Sequence, residues 1–294
     1  MTGKEEMENR HSIGQTAIIV APNGARKTKA DHPSLPMLRQ EIIDEVIACR
    51  DAGAAMVHLH ARDKEGKHSL AIDDNLHLYQ ALKEQVGESI IVQLTTEAVG
   101  QYSPNQQMAL INEVRPEAAS LALSELIPTS HHQDTLNFET SYLDKASGFF
   151  HDIAEQGIIA QYILYSPQDL ERYFSLLDKG LLPSYNHHIL LVLGRYDKHQ
   201  TALPQDLSPF LQQRLFDHDK RWAVCAFGKY EHLCLTASMI MGGDIRVGFE
   251  NNHVNHQGTL ASSNAEQVAN LAETAKQLGL ATLDANHFRQ LLTA

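Results

Sequence analysis

Residues Ile158–Asp169, IIAQYILYSPQD, carry a strand and the start of the helix that follows it. Ile158–Leu164 is a short, mostly apolar run with the length of a strand buried on both faces. Ser166 then offers a hydroxyl at an N-cap position, Pro167 fits the first helical turn, and Asp169 sits near the positive end of the helix dipole. A strand handed directly to a capped helix is the unit of parallel α/β folds, so its recurrence along the chain sets the architecture.

Eight such runs occur: Ala17–Ala21, Ala55–His60, Ile90–Thr95, Ala118–Leu123, Ile158–Leu164, His188–Leu193, Trp222–Phe227 and Ile245–Phe249. The segments between them read as helices with recognisable ends. Leu38, Ile42, Ile43, Val46 and Ile47 make one apolar stripe, and Gly53 follows where a left-handed cap fits. Ser103-Pro104 repeats the hydroxyl-proline start, and Ser263 with Glu266 has capping-box spacing ahead of Val268, Leu271, Ala275, Leu278 and the closing Gly279. No glycine-rich dinucleotide fingerprint follows the first strand, which disfavours an open doubly wound sheet. The expected fold is therefore a (β/α)8 TIM barrel, a single domain over residues 16–294 after a polar segment, residues 1–15. The long connection Glu125–Asn137, after the fourth strand, falls on the C-terminal face where barrel active sites are built.

Composition narrows the partners. The 294 residues are 43% hydrophobic and 20% charged, with a formal net charge of -12, and acids outnumber bases 36 to 24. That balance argues against broad nucleic-acid binding, so an anionic ligand needs a local basic pocket. Cys49, Cys225 and Cys234 form no spaced pair, as in a reduced cytoplasmic protein, and Cys225 lies in an apolar run that reads as core. The first fifteen residues lack the apolar stretch of a secretory signal, and no later run approaches a membrane span.

The chemistry is concentrated in Val57–Asp63, VHLHARD. Residues two apart on a strand share a face, so His58 and His60 point together and Val57 and Leu59 point away. That alternation alone fits two ordinary core histidines as well as it fits two metal ligands. Glu250, at the end of the eighth run, emerges at the same barrel mouth, and two imidazoles with one carboxylate make a catalytic zinc set. His131 and His132 in the fourth loop, and His253 and His256 after Glu250, compete for ligand roles, with solvated loops as the plainer reading. His187 and His188 precede the sixth strand and belong at the bottom of the barrel.

VHLHARD, together with Ala21–Pro36 (APNGARKTKADHPSLP) and Arg246–Asn252 (RVGFENN), resembles the β-keto acid cleavage enzymes of the 3-keto-5-aminohexanoate cleavage type. The resemblance runs from about Ala17 to the SSNAEQV helix start, residues 262–268. It implies a zinc-dependent barrel, typically a homotetramer, that joins a β-keto acid and acetyl-CoA to give acetoacetate and a new acyl-CoA. It also implies that His58, His60 and Glu250 hold the zinc ion, Zn2+, and that Arg246 orients the reacting groups. Thr95 and Thr96 match a position that hydrogen-bonds substrate in the family, or serve as turn hydroxyls, and Asn23 after the first strand either bonds the substrate's polar end or is a turn residue of Pro-Asn-Gly. Arg26, Lys27 and Lys29 are available to the anionic groups of coenzyme A, or form a solvated basic loop.

Two positions depart from the family pattern. Asn251 stands where an aspartate usually serves as the catalytic base, and an amide cannot accept that proton. Glu97-Ala98 replaces a usual glycine pair, so Glu97 either supplies the missing carboxylate or recognises a cationic substrate group. Two other function classes stay open at this point. One is a metal-dependent hydrolase of the amidohydrolase type, disfavoured because its paired histidines lie on the first strand. The other is a non-catalytic metal- and coenzyme A-binding barrel.

Overall fold

The computed structural model describes residues 14–127, 136–195, 201–211, 213–217 and 220–293. Most of the polar N-terminal segment, His131, His132 and the middle of the connection after the fourth strand lie outside the described residues.

Eight parallel strands close into one barrel: β1 (Ile18–Val20), β2 (Met56–Leu59), β3 (Ile91–Thr95), β4 (Ala118–Ala122), β5 (Ile159–Leu164), β6 (His187–Leu193), β7 (Trp222–Ala226) and β8 (Asp244–Val247). All eight runs read from the sequence are strands, most of them a residue or two shorter than their apolar run. β8 pairs back to β1 through Arg246 opposite Ile19, so only β1 separates the histidine strand from the strand leading to Glu250.

Alternation sorts the strand residues onto two faces. Val57 and Leu59 pack outward in the layer shared with the surrounding helices, whereas Met56 joins the barrel interior with Ile19 and Ile91. Inward-facing positions of β2 therefore run Met56, His58 and then His60, rising toward the mouth. The lower end is closed by the helix Ala285–Thr293, whose buried Phe288 and Leu292 join that interior cluster.

Several local expectations change. Ser166 and Ser103 cap their helices as read, accepting from Asp169 N and Gln106 N. Ser263 accepts from Glu266 N, but the Glu266 carboxylate turns instead to the backbone N–H of Ser262 at 2.6 Å. Leu38 is the N-cap residue of the helix Arg39–Asp51 and 66% exposed, outside the buried stripe. Leu278 is likewise 43% exposed, so its helix's apolar face ends at Ala275. His187 and His188 open β6 rather than precede it. A short helix, Leu123–Leu126, follows β4 directly and carries Glu125. A short parallel pair, Gln15–Thr16 with Ala281–Thr282, was not foreseen.

The bottom of the barrel holds a buried ion network. Arg221 donates from Nε and Nη2 to the two oxygens of Asp244 at 3.0 and 2.5 Å, and His188 Nε2 lies 3.3 Å from the same carboxylate. Gln161 meets the other nitrogen of His188 at 2.8 Å, which completes its pairing without solvent. No helix among the described residues is long and apolar enough to cross a membrane.

Candidate active site

His58 and His60 stand on consecutive inward positions of the β2 edge, 2% and 0% exposed. Their Nε2 atoms are 3.0 Å apart, and each lies 3.5 Å from Glu250 Oε2. These ligand atoms fall within 4.8 Å of one another, the spacing of a group able to hold a metal ion. Two ligands bound at about 2.0–2.1 Å to a tetrahedral ion sit roughly 3.3 Å from each other, so the observed separations suit one ion. Glu250 Oε2 is buried and has no hydrogen-bond partner among the described residues, as an oxygen reserved for a metal would be.

The charge states agree with that use. Burial pushes His58 down to about 4 and His60 to about 3, keeping both imidazoles neutral with lone pairs for a cation. Burial alone would raise the Glu250 carboxyl, but Arg246, His58 and His60 outweigh it and hold the group well below its ordinary range. Arg246 Nη2 lies 3.3 Å from Glu250 Oε1 and 3.3 Å from Cys225 Sγ. Cys225 is core, as expected, and burial raises its thiol to about 11.

Second-layer contacts fix these groups. Gln93, directly across from His58 in the β2–β3 register, accepts from His58 Nδ1 at 2.8 Å and so leaves Nε2 unprotonated toward the site. Replacing Gln93 with leucine is expected to weaken metal binding about 10- to 100-fold with the fold retained, as read by competition with a chromophoric chelator and by circular dichroism. Glu250 sits on the turn Gly248–Asn252. Gly248 has φ +140°, and a Cβ there would collide with the Ala21 carbonyl. The turn is also held by Asn264 Oδ1 accepting from Phe249 N at 2.7 Å and by Lys27 Nζ donating to Phe249 O at 2.9 Å.

A cavity opens above the site and is lined by His58, Glu250, Arg246, Thr95, Thr96 and Glu97, with Glu125, Tyr165, Arg195 and Phe227 further around the wall. The Thr95 hydroxyl accepts from Glu97 N at 3.0 Å, and Thr96 donates to Ser120 O at 2.8 Å. Glu97 reaches across between two partners: its Oε1 is 2.6 Å from Arg195 Nη2 and its Oε2 is 3.9 Å from His60 Nδ1. Burial and the neighbouring Glu250 push the Glu97 carboxyl upward against the pull of Arg195.

Two expected residues do not line this cavity. Asn251 is buried, 3% exposed, and is not among the residues lining this cavity. Asn23 is also off that wall, and its amide donates to His60 O at 3.0 Å, tying the loop after β1 to the histidine strand. Lys27 serves the Glu250 turn, Lys29 pairs with Glu41 at 2.9 Å, and Arg26 lies near enough to Glu97 and Glu125 to act on both through its charge. His253 contacts Phe249 O, and His256 lines a separate crevice beside Glu231 and His232.

Sequence reading missed Gln93, Arg195 and the place of Glu125 on the cavity wall. It also missed Arg62, whose guanidinium binds the carbonyls of Gly24, Lys27 and Gly66 and so braces the loop after β1. Arg62 lay within reach, since it continues the two-residue period of His58 and His60.

Comparison with known proteins follows this geometry. The family model for the beta-keto acid cleavage enzyme matches residues 15–293. A 3-keto-5-aminohexanoate cleavage enzyme from Fusobacterium nucleatum is 27% identical over 282 residues, covering 94% of this chain and 97% of that one. A 3,5-dioxohexanoate:acetyl-CoA acetone transferase from Paraburkholderia graminis is 26% identical over 298 residues, covering 94% of each chain. Among solved structures, ObcA in a ternary complex with a C4-CoA adduct and oxalate aligns with a TM-score of 0.67 at 20% identity, over 88% of this chain and 67% of that chain. The apo form of ObcA is spanned over 65% of its length, so the chain covers about two thirds of that protein, a likeness of fold. With nearly its whole described barrel matched by the family model, the chain belongs to the beta-keto acid cleavage enzyme family.

Proposed function

We propose that this protein is a zinc-dependent acyltransferase that cleaves a β-keto acid at the expense of acetyl-CoA, giving acetoacetate and the acyl-CoA of the remaining fragment. The observation that carries this reading is the His58–His60–Glu250 cluster under a cavity that also presents Arg246 and Glu97. The relatives named as acetyl-CoA-dependent transferases supply the reaction class.

The atoms balance as a Claisen and retro-Claisen exchange. The carbon between the keto and carboxylate groups loses a proton and attacks the acetyl thioester. Coenzyme A thiolate leaves, then adds to the original keto carbon; the bond between that carbon and the transferred two-carbon unit breaks, and the proton removed in the first step returns to the resulting acetoacetate carbanion. His58, His60 and Glu250 would hold a divalent ion, which would supply Lewis-acid stabilisation of the developing enolate charge. Arg246 brings a fixed positive charge to the side of the site where enolate charge develops. Thr95 and Thr96 shape the wall beside it. Glu97 is assigned as proton acceptor, because it is the wall carboxylate beside the ligand histidines that is not itself in the ligand set, whereas Asn251 is an amide and does not line the cavity.

The test uses purified zinc-loaded protein with acetyl-CoA and a panel of β-keto acids. Acetoacetate formation is expected, and Glu97→Gln should lower kcat by about 10²- to 10⁴-fold with metal content unchanged. Hydrolysis without coenzyme A would favour the hydrolase reading, and coenzyme A binding without any turnover would favour a binding-only barrel. A homotetramer is the state implied by the family resemblance and a cytoplasmic setting the one read from the unspaced cysteines, and light scattering on the purified protein measures its mass.

A further inference from the structure

Between the metal cluster and the ion network at the bottom, the barrel interior is polar. The inward positions of β3, β4 and β5 begin with Ile91, Ala118 and Ile159 in the apolar interior cluster. Two residues further up, on the same face, stand Gln93, Ser120 and Gln161, each 0% exposed. Barrel interiors are ordinarily filled by branched apolar side chains, so polar groups on three neighbouring strands need a reason. Register places them in a row. Gln93 faces His58 across β2–β3, Ser120 faces Gln161 across β4–β5, and Gln161 faces His188 across β5–β6. Gln93 itself faces Ala118, one inward step below Ser120.

The two ends of the row fix its direction. Burial lowers His188 from its ordinary value and keeps the ring neutral. Its proton belongs on Nε2, 3.3 Å from the Asp244 carboxylate, so Nδ1 accepts from Gln161 Nε2 at 2.8 Å. At the upper end His58 Nδ1 donates to Gln93 Oε1 at 2.8 Å. Gln93 Nε2, Ser120 Oγ and Gln161 Oε1 are then left over, and none has a hydrogen-bond partner among the described residues. They are a donor, a hydroxyl that both accepts and donates, and an acceptor, in that order on consecutive strands. Adjacent strands lie about 4.8 Å apart, which a serine hydroxyl and a single water span together.

We propose that Ser120 and one buried water join Gln93 to Gln161, so that one row of hydrogen bonds runs from the metal ligand His58 down to Asp244, with Ser120 and Gln161 as positioning residues for His58. Every bond in the row points the same way and ends on a carboxylate, and bonds in such a chain strengthen one another. The row also locks the Gln93 amide. Without it the amide is free to turn over, and Nε2 then faces His58 Nδ1. That arrangement shifts the His58 proton to Nε2, the atom the metal needs.

The inference rests on the metal-binding part of the proposed function, and its test reads metal affinity rather than turnover. Purified metal-free protein is titrated with cobalt(II), which takes the same nitrogen and oxygen ligands and is followed by its visible absorption. Ser120→Ala and Gln161→Leu, either of which decides, should each weaken cobalt binding by about three- to tenfold, less than loss of the direct partner Gln93. In a Gln93→Leu background the same substitutions should change affinity by less than about twofold, because the row acts on His58 only through Gln93. Unchanged affinity in the single variants overturns the proposal. So does a loss of equal size in the Gln93→Leu background, which would mark a general loosening of the barrel. A parent protein that takes up no cobalt would instead remove the metal site itself, so the two failures are distinguishable.

Discussion

Replacing His58 with alanine is expected to remove the bound metal and to lower acetoacetate formation by at least about a thousandfold. The first effect follows from geometry. His58 and His60 present Nε2 atoms 3.0 Å apart, and Glu250 Oε2 is 3.5 Å from both, so one substitution leaves a single imidazole and a carboxylate. Glu250 then has Arg246 as its nearest charged partner, at 3.3 Å, and an ion would meet only two protein ligands. The second effect follows from what the ion is for. Lewis-acid stabilisation of an enolate is worth several kcal/mol, and each 1.4 kcal/mol or so is about tenfold in rate. Elemental analysis after dialysis and steady-state acetoacetate assays read the two effects separately. Retention of a full equivalent of metal, or turnover within tenfold of the parent, would remove His58 from the ligand set.

The largest expected loss of stability lies at the other end of the barrel. Asp244→Ala should destabilise the protein by about 3–5 kcal/mol, because it leaves the buried Arg221 guanidinium without its counter-charge. Asp244 also accepts from Ala17 N at 2.8 Å and meets His188 at 3.3 Å, so three elements lose a partner together. Burial alone would raise its carboxyl, but Arg221 and His188 hold it at about 2, below the ordinary 3.8. A carboxyl depressed in the folded state stabilises it above the unfolded value and ceases to as pH falls through the folded value. The stability gap between parent and variant should therefore be full at neutral pH and narrow between about pH 4 and pH 2. Urea unfolding midpoints across that range measure it, and a gap independent of pH would assign the loss to packing alone.

The fold was legible because it depends on short-range order. Runs such as Ile158–Leu164 followed by Ser166-Pro167 specify a strand and a capped helix from adjacent residues, and eight repeats leave little choice but closure. His58 and His60 were legible for the same reason, since a two-residue period places both on one face whatever the rest of the chain does. Glu250 was reachable because its strand end could be placed on the mouth without knowing any side-chain distance.

The cavity wall was not legible, since it is made of partners brought together from distant strands. Gln93 opposes His58 only through the β2–β3 register, and Arg195 meets Glu97 from 98 positions away. Glu125 reads as the start of a loop until the short helix after β4 turns it onto the cavity. Asn251 adjoins Glu250 in the chain but not on the wall, because the tight turn after Gly248 sends consecutive side chains in different directions. Sequence alone determined the closed barrel and the face that carries two histidines, because backbone periodicity is a local property. Only the tertiary structure decided which carboxylates share the cavity and which cations they already hold, because charge pairing is set by distance in space.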